Sequence, residues 1–204
     1  MQPIKNIIFD LGGIFLDIHY QLTKNAFINL GIKNFDELFT QHHANDLFED
    51  LETGKISEQK FYQSFRQEAN IDLSDEQIKN AWNALLGGFP VERLDWLKKI
   101  KHKYNIYLFS NTNQIHYNAF MKIYEKETGE NDFNEHFIKA YYSQNIGLRK
   151  PYPESFLHIL NEQNLVPEQT LFIDDTIKNI EGARAVGLQT LHLVAPQTLL
   201  DLDL

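Results

Sequence analysis

The chain lacks cysteine altogether, which excludes disulfide bonds, thiolate metal ligands and a cysteine nucleophile. It also lacks an apolar run approaching the roughly 20 residues that a membrane span needs. The N-terminal stretch MQPIKNIIFD has too short an apolar part for a signal peptide, and no small-residue cleavage site follows it. These absences predict a cytoplasmic protein with no membrane partner.

Basic residues are outnumbered by acidic ones. Lysine and arginine total 19 against 28 aspartates and glutamates, which gives a formal net charge of −9. Nucleic acid is therefore not an expected partner, since phosphate backbones attract the opposite balance of charge. A small phosphorylated ligand is still compatible, because its site needs only a local positive field. The composition leaves the oligomeric state open.

Four short apolar runs predict strands that are buried on both faces of a sheet. The runs lie at residues 6–10, 106–109, 171–173 and 191–194. Helical patterns separate the later runs, and the clearest is the apolar stripe of Val91, Leu94, Leu97 and Ile100. Alternating strands and helices are typical of a parallel sheet, so we predict an α/β fold with a Rossmann-like parallel-sheet core.

The stretch of residues 20–86 differs from the rest of the chain. It is polar, follows a helical period and contains no run typical of a buried strand. Ser74 and Gln77 have the spacing of a capping box at the start of one helix. This stretch therefore predicts an all-helical insertion, or cap, between the first and second strands.

The insertion sets the predicted domain boundaries. We expect an α/β core of residues 1–17 and 88–204 and a helical cap of residues 18–87, with hinges near residues 17–20 and near residues 87–90. The alternative is one continuous mixed domain without a separate cap.

Residues able to carry chemistry follow the predicted element ends at four places. The carboxyl ends of parallel strands share one crevice, so such side chains can converge on a ligand. Glycines in the first segment allow a tight turn and a close approach of the backbone to that ligand. The candidates are Asp10, Gly12, Gly13, Ser110, Asn111, Lys150, Asp174 and Asp175.

Together these residues suit a site for a phosphate group and Mg²⁺. Carboxylates such as Asp10 and Asp174 are the hard oxygen ligands that Mg²⁺ prefers, and without a cation they would repel each other. Ser110 and the backbone N–H groups around Asn111 can donate to phosphate oxygens, and Lys150 supplies a point cation. A carboxylate could then attack phosphorus, and water would hydrolyse the resulting aspartyl-phosphate. Each segment alone also fits a turn, a helix start or a solvated charge.

The order of the segments resembles the haloacid dehalogenase superfamily of aspartate-nucleophile hydrolases, over nearly the whole chain. The four matching motifs are IIFDLGGIFLD, LFSNTN, GLRKPYPESF and FIDDTIKNIEGARAVG. Within the superfamily the chain is most similar to the bacterial α-D-glucose-1-phosphate phosphatase group. That similarity is carried by FDLGG, EDLETGKIS, SNTNQIH, YYSQNIGLRKP and IDDTIKNIEGA.

The resemblance implies a role for each core candidate. Asp10 would be the nucleophile and a Mg²⁺ ligand, and the Gly12 carbonyl and Asp174 would be further ligands. Ser110 and Lys150 would hold the phosphoryl group. Asp175 would support the metal shell or orient Lys150. The substrate-binding candidates are Gly13 and Asn111 in the core and Glu52 and Thr53 in the cap.

The cap candidates and two further sets have competing interpretations. Glu52, Thr53 and Gly54 resemble the cap loop that faces the substrate, but they equally fit a helix end closed by glycine. His42-His43 with Asp46 could suggest a metal, although adjacent helical residues do not face each other, and we interpret the histidines as solvated. Tyr141 and Tyr142 are interpreted as packing groups.

Gly12 departs from the pattern of the superfamily. Most of its phosphatases carry a second aspartate there as general acid, a group worth about 10²–10⁴-fold in rate, or roughly 3–5 kcal/mol. Three explanations are open. The leaving group could need little protonation, as in a sugar 1-phosphate, or another residue could be the acid. Alternatively, the protein could bind phosphate compounds and turn them over poorly. His116 is the candidate acid, but we favour its interpretation as a helix-surface residue. The glucose-1-phosphate phosphatase group also lacks this aspartate, which favours the first two explanations.

The sequence thus predicts a Mg²⁺-dependent phosphatase that acts on a small sugar phosphate such as glucose 1-phosphate. One alternative is a 2-haloacid dehalogenase, which the Asp174-Asp175 pair disfavours because uncompensated acids beside an anionic substrate are costly. The other alternative is a non-catalytic phosphate-binding module, for which Gly12 is the support.

Overall fold

The computed structural model describes residues 2–32, 35, 39–40, 43–44 and 46–204. Its strands are β1 Asn6–Phe9, β2 Phe39–Thr40, β3 His43–Ala44, β4 Asn105–Ser110, β5 Lys139–Tyr142, β6 Thr170–Asp174 and β7 Gln189–His192. Its α-helices are α1 Tyr20–Asn29, α2 Asp46–Glu52, α3 Glu58–Ala69, α4 Asp75–Asn83, α5 Val91–Ile100, α6 Gln114–Thr128, α7 Ser143–Ile146, α8 Pro153–Glu162 and α9 Ile177–Ala185. Among these described helices, none is both long and apolar enough to cross a membrane.

Five parallel strands form the main sheet in the order β5-β4-β1-β6-β7, which confirms the predicted fold class. Strand β1 lies at the centre, where Asn6 is in register with Asn105 of β4 and with Thr170 of β6. The structure differs from the prediction in three details. Asp10 follows β1 instead of ending it, β7 begins two residues before the predicted run at 191–194, and β5 was not predicted.

The sheet is buried on both faces, as its apolar strands predict. Side chains alternate along each strand, so neighbouring residues enter different cores. Phe9 of β1 belongs to the cluster that packs under α5 and α6. Ile8 belongs to the cluster that packs under α8 and α9. This double burial holds the carboxyl ends of the central strands in a fixed position.

The helices α1 to α4 enclose a third cluster, which is rich in aromatic rings. Its largest members are Phe27, Phe48, Phe61, Phe65 and Trp82, and Ile115 of α6 joins it from the core. The capping box at the start of α4 forms as predicted. The Gln77 backbone N–H donates to the Ser74 hydroxyl, and the Ser74 backbone N–H donates to the Gln77 side-chain carbonyl.

The expectation of an all-helical insertion is wrong in one respect. Strands β2 and β3 pair antiparallel within it, with Phe39 opposite Ala44. Two residues per strand are too few to produce a strand period in the sequence. Of the predicted histidine pair, His42 lies outside the described residues.

The two connections between the helical insertion and the core run side by side. Ile18 and Leu86 form an antiparallel bridge, and the Gly87 N–H donates to the Asp17 carbonyl at 2.8 Å. A Cβ atom on Gly87 would lie 2.9 Å from the Asp17 carbonyl oxygen, so only glycine fits this crossing. The domain boundaries at residues 17–18 and 87–88 stay a prediction.

Candidate active site

The predicted core residues meet at the carboxyl edge of the sheet. Asp10 follows β1, Ser110 ends β4 and Asp174 ends β6, while Lys150 arrives from the loop after α7. A cavity of about 170 Å³ lies beside them. Its lining includes Asp10, Gly12, Ser110, Asn111, Lys150 and Asp175.

Lys150 joins two of the carboxylates. Its Nζ atom lies 2.7 Å from Asp10 Oδ1 and 2.8 Å from Asp174 Oδ2, and its side chain is 1% exposed. Burial alone would lower the pKa of Lys150, but the charges of Asp10 and Asp174 outweigh burial and raise it. The rings of Phe109 and Phe172 flank the ammonium group at 5.3 and 5.4 Å. Lys150 is therefore a fixed cation with little freedom to reorient.

The backbone around Lys150 is held from two sides. The Asn111 side chain donates to the Lys150 carbonyl and accepts from the Lys150 N–H, both at 2.9 Å. Because the side chain of Asn111 is hydrogen-bonded to Lys150, the predicted contact of Asn111 with substrate would be made by its backbone N–H. Gly182 of α9 packs so closely that a Cβ there would lie 2.1 Å from the Pro151 carbonyl oxygen. No local sequence pattern around Gly182 predicts this helix contact.

Asp174 is fully buried and is fixed by donors from the loop and the helix α9 that follow it. Its Oδ1 atom accepts from the Thr176 N–H at 2.8 Å, and Asn179 Nδ2 donates to both carboxylate oxygens, at 3.1 and 3.0 Å. This carboxylate is therefore oriented before any ligand arrives.

The three aspartates form an acidic cluster that fits a divalent cation. Ligand oxygens of Asp10, Asp174 and Asp175 lie within 4.8 Å of one another, close to the spread of oxygens around Mg²⁺, which binds each at about 2.0–2.1 Å. Burial raises the pKa of Asp10 to about 7; Lys150 opposes the shift, while Asp174 and Asp175 add to it. Burial, followed by the charge of Asp174, also raises the pKa of Asp175. A bound cation would remove this repulsion.

The two glycines after Asp10 have different constraints. Gly13 has a φ of +72°, and a Cβ there would lie 2.5 Å from Asp175 Oδ2, so the turn needs glycine. Gly12 lines the cavity, and a Cβ there would lie 3.1 Å from Ile18 Cγ1. The space that a side chain at position 12 would enter is thus bordered by Ile18.

The helical insertion contributes Glu52 to the cavity lining, and its contact with substrate stays a prediction. Arg149, beside Lys150, pairs with Glu49 at 3.0 Å and with Glu52 at 2.9 Å and so joins core to cap. Burial raises the pKa of Glu52, and the charge of Arg149 opposes that shift.

Thr53 has a different environment from its neighbour. Its hydroxyl donates to the Glu49 carbonyl at 2.8 Å and so satisfies the end of α2. Gly54 follows with a φ of +68°, and a Cβ there would lie 2.2 Å from the Gln144 carbonyl oxygen of the core. This geometry supports the helix-end interpretation for Thr53 and Gly54 and not the predicted contact of Thr53 with substrate.

His116 is not the surface residue that we favoured. It is 7% exposed, lines the cavity and stacks on Trp82 with ring centroids 4.7 Å apart. Its Nδ1 atom lies 2.8 Å from Asn83 Oδ1. Burial lowers the pKa of His116 to about 3, so the ring is neutral at pH 7 and has no imidazolium proton to give. A neutral ring does not favour His116 as the acid that would replace the aspartate missing at Gly12.

Tyr20 was missed as a site residue. It begins α1 at the hinge and lines the cavity with Asp10. Burial, with the charges of Asp175 and Glu52, raises the pKa of Tyr20 above its ordinary value, so the hydroxyl keeps its proton. A single tyrosine at a predicted hinge carries no pattern that distinguishes it from a packing residue.

The remaining candidates lie away from the cavity. Tyr141 and Tyr142 are buried in the cores on opposite faces of the sheet, in agreement with their interpretation as packing groups. Asp46 is exposed in the first turn of α2.

Comparison with known proteins identifies the family. Residues 4–187 match the model of the haloacid dehalogenase-like hydrolases. The chain is 32% identical over 187 residues to a D-ribitol-5-phosphate phosphatase of Bacteroides thetaiotaomicron, covering 92% of this chain and 90% of the relative. It is also similar to a solved structure of a haloacid dehalogenase (HAD) family enzyme from the same organism, in complex with magnesium and inorganic phosphate. That similarity has a TM-score of 0.89, 31% identity and coverage of 96% of each chain.

A third comparison agrees with the first two. A predicted HAD-like family hydrolase from Porphyromonas gingivalis is 29% identical with a TM-score of 0.84, over 93% of this chain and 91% of that structure. These matches support the predicted superfamily but do not single out the glucose-1-phosphate phosphatase group within it. On the family match and the 32% identity to a relative across nine-tenths of its length, the chain belongs to the haloacid dehalogenase-like hydrolases.

Proposed function

We propose that the protein is a Mg²⁺-dependent phosphatase for a small, hydroxylated phosphomonoester such as a sugar or sugar-alcohol phosphate. The observation that carries the proposal is the contact of Lys150 Nζ with both Asp10 and Asp174 beside a third carboxylate, Asp175. The relatives named as phosphatases and the related structure that contains magnesium and phosphate add support. A cavity of about 170 Å³ suits a small substrate, since pockets for drug-sized ligands hold roughly 300–1,000 Å³.

The reaction would proceed in two steps on Asp10. A carboxylate oxygen of Asp10 attacks phosphorus while the bond from phosphorus to the ester oxygen breaks. Water then attacks the aspartyl-phosphate, releases inorganic phosphate and restores the carboxylate. The departing oxygen takes up one proton and the attacking water gives one up, so the two steps balance.

The surrounding residues would bind and align the phosphoryl group. Lys150, fixed between two carboxylates, presents a positive charge, and Ser110 presents a hydroxyl at the end of β4. Asp10, Asp174 and Asp175 would hold the cation, which when bound would neutralise charge on the phosphate oxygens.

Gly12 makes the leaving group the main question of specificity. A sugar 1-phosphate leaves through an anomeric oxygen that needs little protonation, which favours glucose 1-phosphate as a substrate. The relative named for D-ribitol 5-phosphate points instead to a primary alcohol as leaving group. Both substrates fall within the proposed class.

Phosphate release from a substrate panel tests the proposal. We expect Mg²⁺-dependent release from at least one of glucose 1-phosphate, glucose 6-phosphate and D-ribitol 5-phosphate, and no release in EDTA. Faster release from the 1-phosphate would support the leaving-group explanation of Gly12, and equal rates would point to another proton donor. Thermal stabilisation by these compounds without release would favour the binding module. Metal-independent halide release from a 2-haloacid would favour the dehalogenase.

The affinity for Mg²⁺ should depend on pH. In the metal-free protein Asp10 holds its proton up to about pH 7, compared with an ordinary pKa of 3.8. A cation must displace that proton, so we expect affinity to rise by up to about tenfold per pH unit between pH 5.5 and 7 and then level off. Calorimetric titration at pH 5.5, 6.5 and 7.5 measures this dependence. An affinity that is constant over this range would contradict it.

The stability of the metal-free protein should also depend on pH. Folded Asp10 binds its proton more tightly than unfolded Asp10, so raising the pH from about 4 to 7 removes stability. Saturating Mg²⁺ should reverse this loss at pH 7, which denaturant unfolding at pH 5 and pH 7 can measure with and without the ion.

A further inference from the structure

His116 is held at the boundary between the core and the cap. Its backbone N–H donates to Asn113 Oδ1 at 3.0 Å, which fixes the residue in the first turn of α6. From the cap, Trp82 covers one face of the ring at an interplanar angle of 27°, and Asn83 Oδ1 meets Nδ1 at 2.8 Å. The imidazole is therefore fixed by its backbone, one ring face and one nitrogen.

These contacts assign the tautomer of the ring. The amide oxygen of Asn83 can only accept a hydrogen bond, so Nδ1 of His116 carries the proton and donates it. In a neutral imidazole the other nitrogen, Nε2, then has a free lone pair and acts as an acceptor. Burial keeps the ring neutral across the physiological range by lowering the pKa of His116 to about 3.

The accepting edge of the ring is the edge that Trp82 and Asn83 do not cover. His116 contributes to the cavity lining, and Trp82 and Asn83 already cover a ring face and the Nδ1 edge. The cavity lining also has an apolar part, which includes Leu16, Ile18, Leu85, Leu86 and Phe120. An acceptor set in such a lining distinguishes a ligand that has a hydroxyl group from one that lacks it.

We propose that His116 is a specificity-determining residue that accepts a hydrogen bond at Nε2 from a hydroxyl group of the substrate. The proposal rests on the proposed function and deepens it, because it limits the substrate class to phosphomonoesters with hydroxyl groups beyond the ester carbon. Asn83 is then a positioning residue that sets the tautomer. Asn83 lies in α4 of the cap and His116 in α6 of the core. Nε2 of His116 is therefore held as an acceptor only when the cap packs against the core.

The test compares substrates that share a primary-alcohol leaving group but differ in hydroxyl content. D-ribitol 5-phosphate and glucose 6-phosphate carry several hydroxyl groups, and pentyl phosphate carries none. For the wild type we expect kcat/KM to be at least about tenfold higher for the hydroxylated esters, the lower end of discrimination by one buried group. Pentyl phosphate turned over equally well would overturn the proposal and leave the phosphatase intact.

Substitutions then locate the discrimination at His116. His116→Phe keeps an aromatic ring against Trp82 but removes the acceptor, so it should raise KM for D-ribitol 5-phosphate about tenfold or more and change KM for pentyl phosphate much less. His116→Gln, which retains an amide acceptor, should lose less. An equal loss on both substrates would overturn the proposal, because it would mean damage to the site as a whole.

Asn83→Leu provides a second variant that leaves His116 in place. Without the acceptor at Nδ1 the tautomer is no longer fixed, so selectivity for the hydroxylated esters should fall severalfold while hydrolysis of pentyl phosphate persists. Unchanged selectivity would contradict the role assigned to Asn83. A wild type that hydrolyses neither these three esters nor glucose 1-phosphate would instead overturn the proposed function itself.

Discussion

Replacement of Asp10 by asparagine is expected to abolish phosphate release while the protein stays folded. The amide cannot attack phosphorus to form the acyl-phosphate, so turnover should fall by at least about 10⁴-fold, the scale of nucleophile loss in covalent hydrolases. The fold should persist because Lys150 keeps its 2.8 Å contact with Asp174. Without Mg²⁺ the variant should be at least as stable as the wild type at pH 7, since one buried like charge is gone.

The measurement is phosphate release under saturating substrate, together with thermal unfolding of the same preparations. Asp95→Asn is a matched control, because Asp95 is an exposed carboxylate of α5 far along the chain from the site motifs. The control should retain full activity. Full activity in Asp10→Asn would refute the aspartyl-phosphate mechanism.

Replacement of Lys150 by methionine should affect both activity and stability. It leaves Asp10 and Asp174 buried without their shared cation, and loss of one partner from a buried pair costs about 3–5 kcal/mol. The loss should be largest near pH 8 and smaller near pH 5, where the carboxylates can take up protons. Activity should fall as well, because the phosphoryl group loses its fixed positive charge.

Denaturant unfolding with and without Mg²⁺ separates the two effects. Saturating Mg²⁺ should restore part of the stability of Lys150→Met but not its activity. Lys122→Met changes an exposed lysine of α6 and should alter neither quantity. Lys150→Arg retains the positive charge, but its planar guanidinium group does not fit between two carboxylates as the ammonium group does. It should therefore be little more active than Lys150→Met. Wild-type stability of Lys150→Met in EDTA at pH 8 would contradict the assignment.

Much of the site could be predicted because its residues follow strand ends. Asp10, Ser110 and Asp174 lie far apart in sequence, yet the parallel register of three neighbouring strands places them at one edge. The buried runs of these central strands are continuous and apolar, and that pattern is the strongest strand signal that a sequence carries. Their proximity followed from topology alone, whereas their catalytic roles stay proposals until variants are measured.

The features that escaped prediction depend on contacts between distant segments. Strand β5 was missed because it is an edge strand whose first residue, Lys139, is exposed, so it shows no continuous apolar run. Strand β7 was predicted two residues too late for a different reason. It is half-buried, and the apolar run on which the prediction rested continues beyond the residues that pair with β6. The burial of His116 follows from Trp82, which is 34 positions earlier in the chain. No local pattern around either residue encodes that contact.

The central position of β1 has a consequence for how the protein forms. Strand β1 precedes both of its neighbours, which begin at Asn105 and Thr170, so it can pair on both sides only after residue 170 has been added. Such non-local pairings slow folding, since a long loop must close before any contact compensates for the lost entropy. A nascent chain that ends before Thr170 lacks one flank of β1 as well as Asp174. Asp10, the proposed nucleophile, can therefore meet Asp174 only after residues 170–174 have been synthesised.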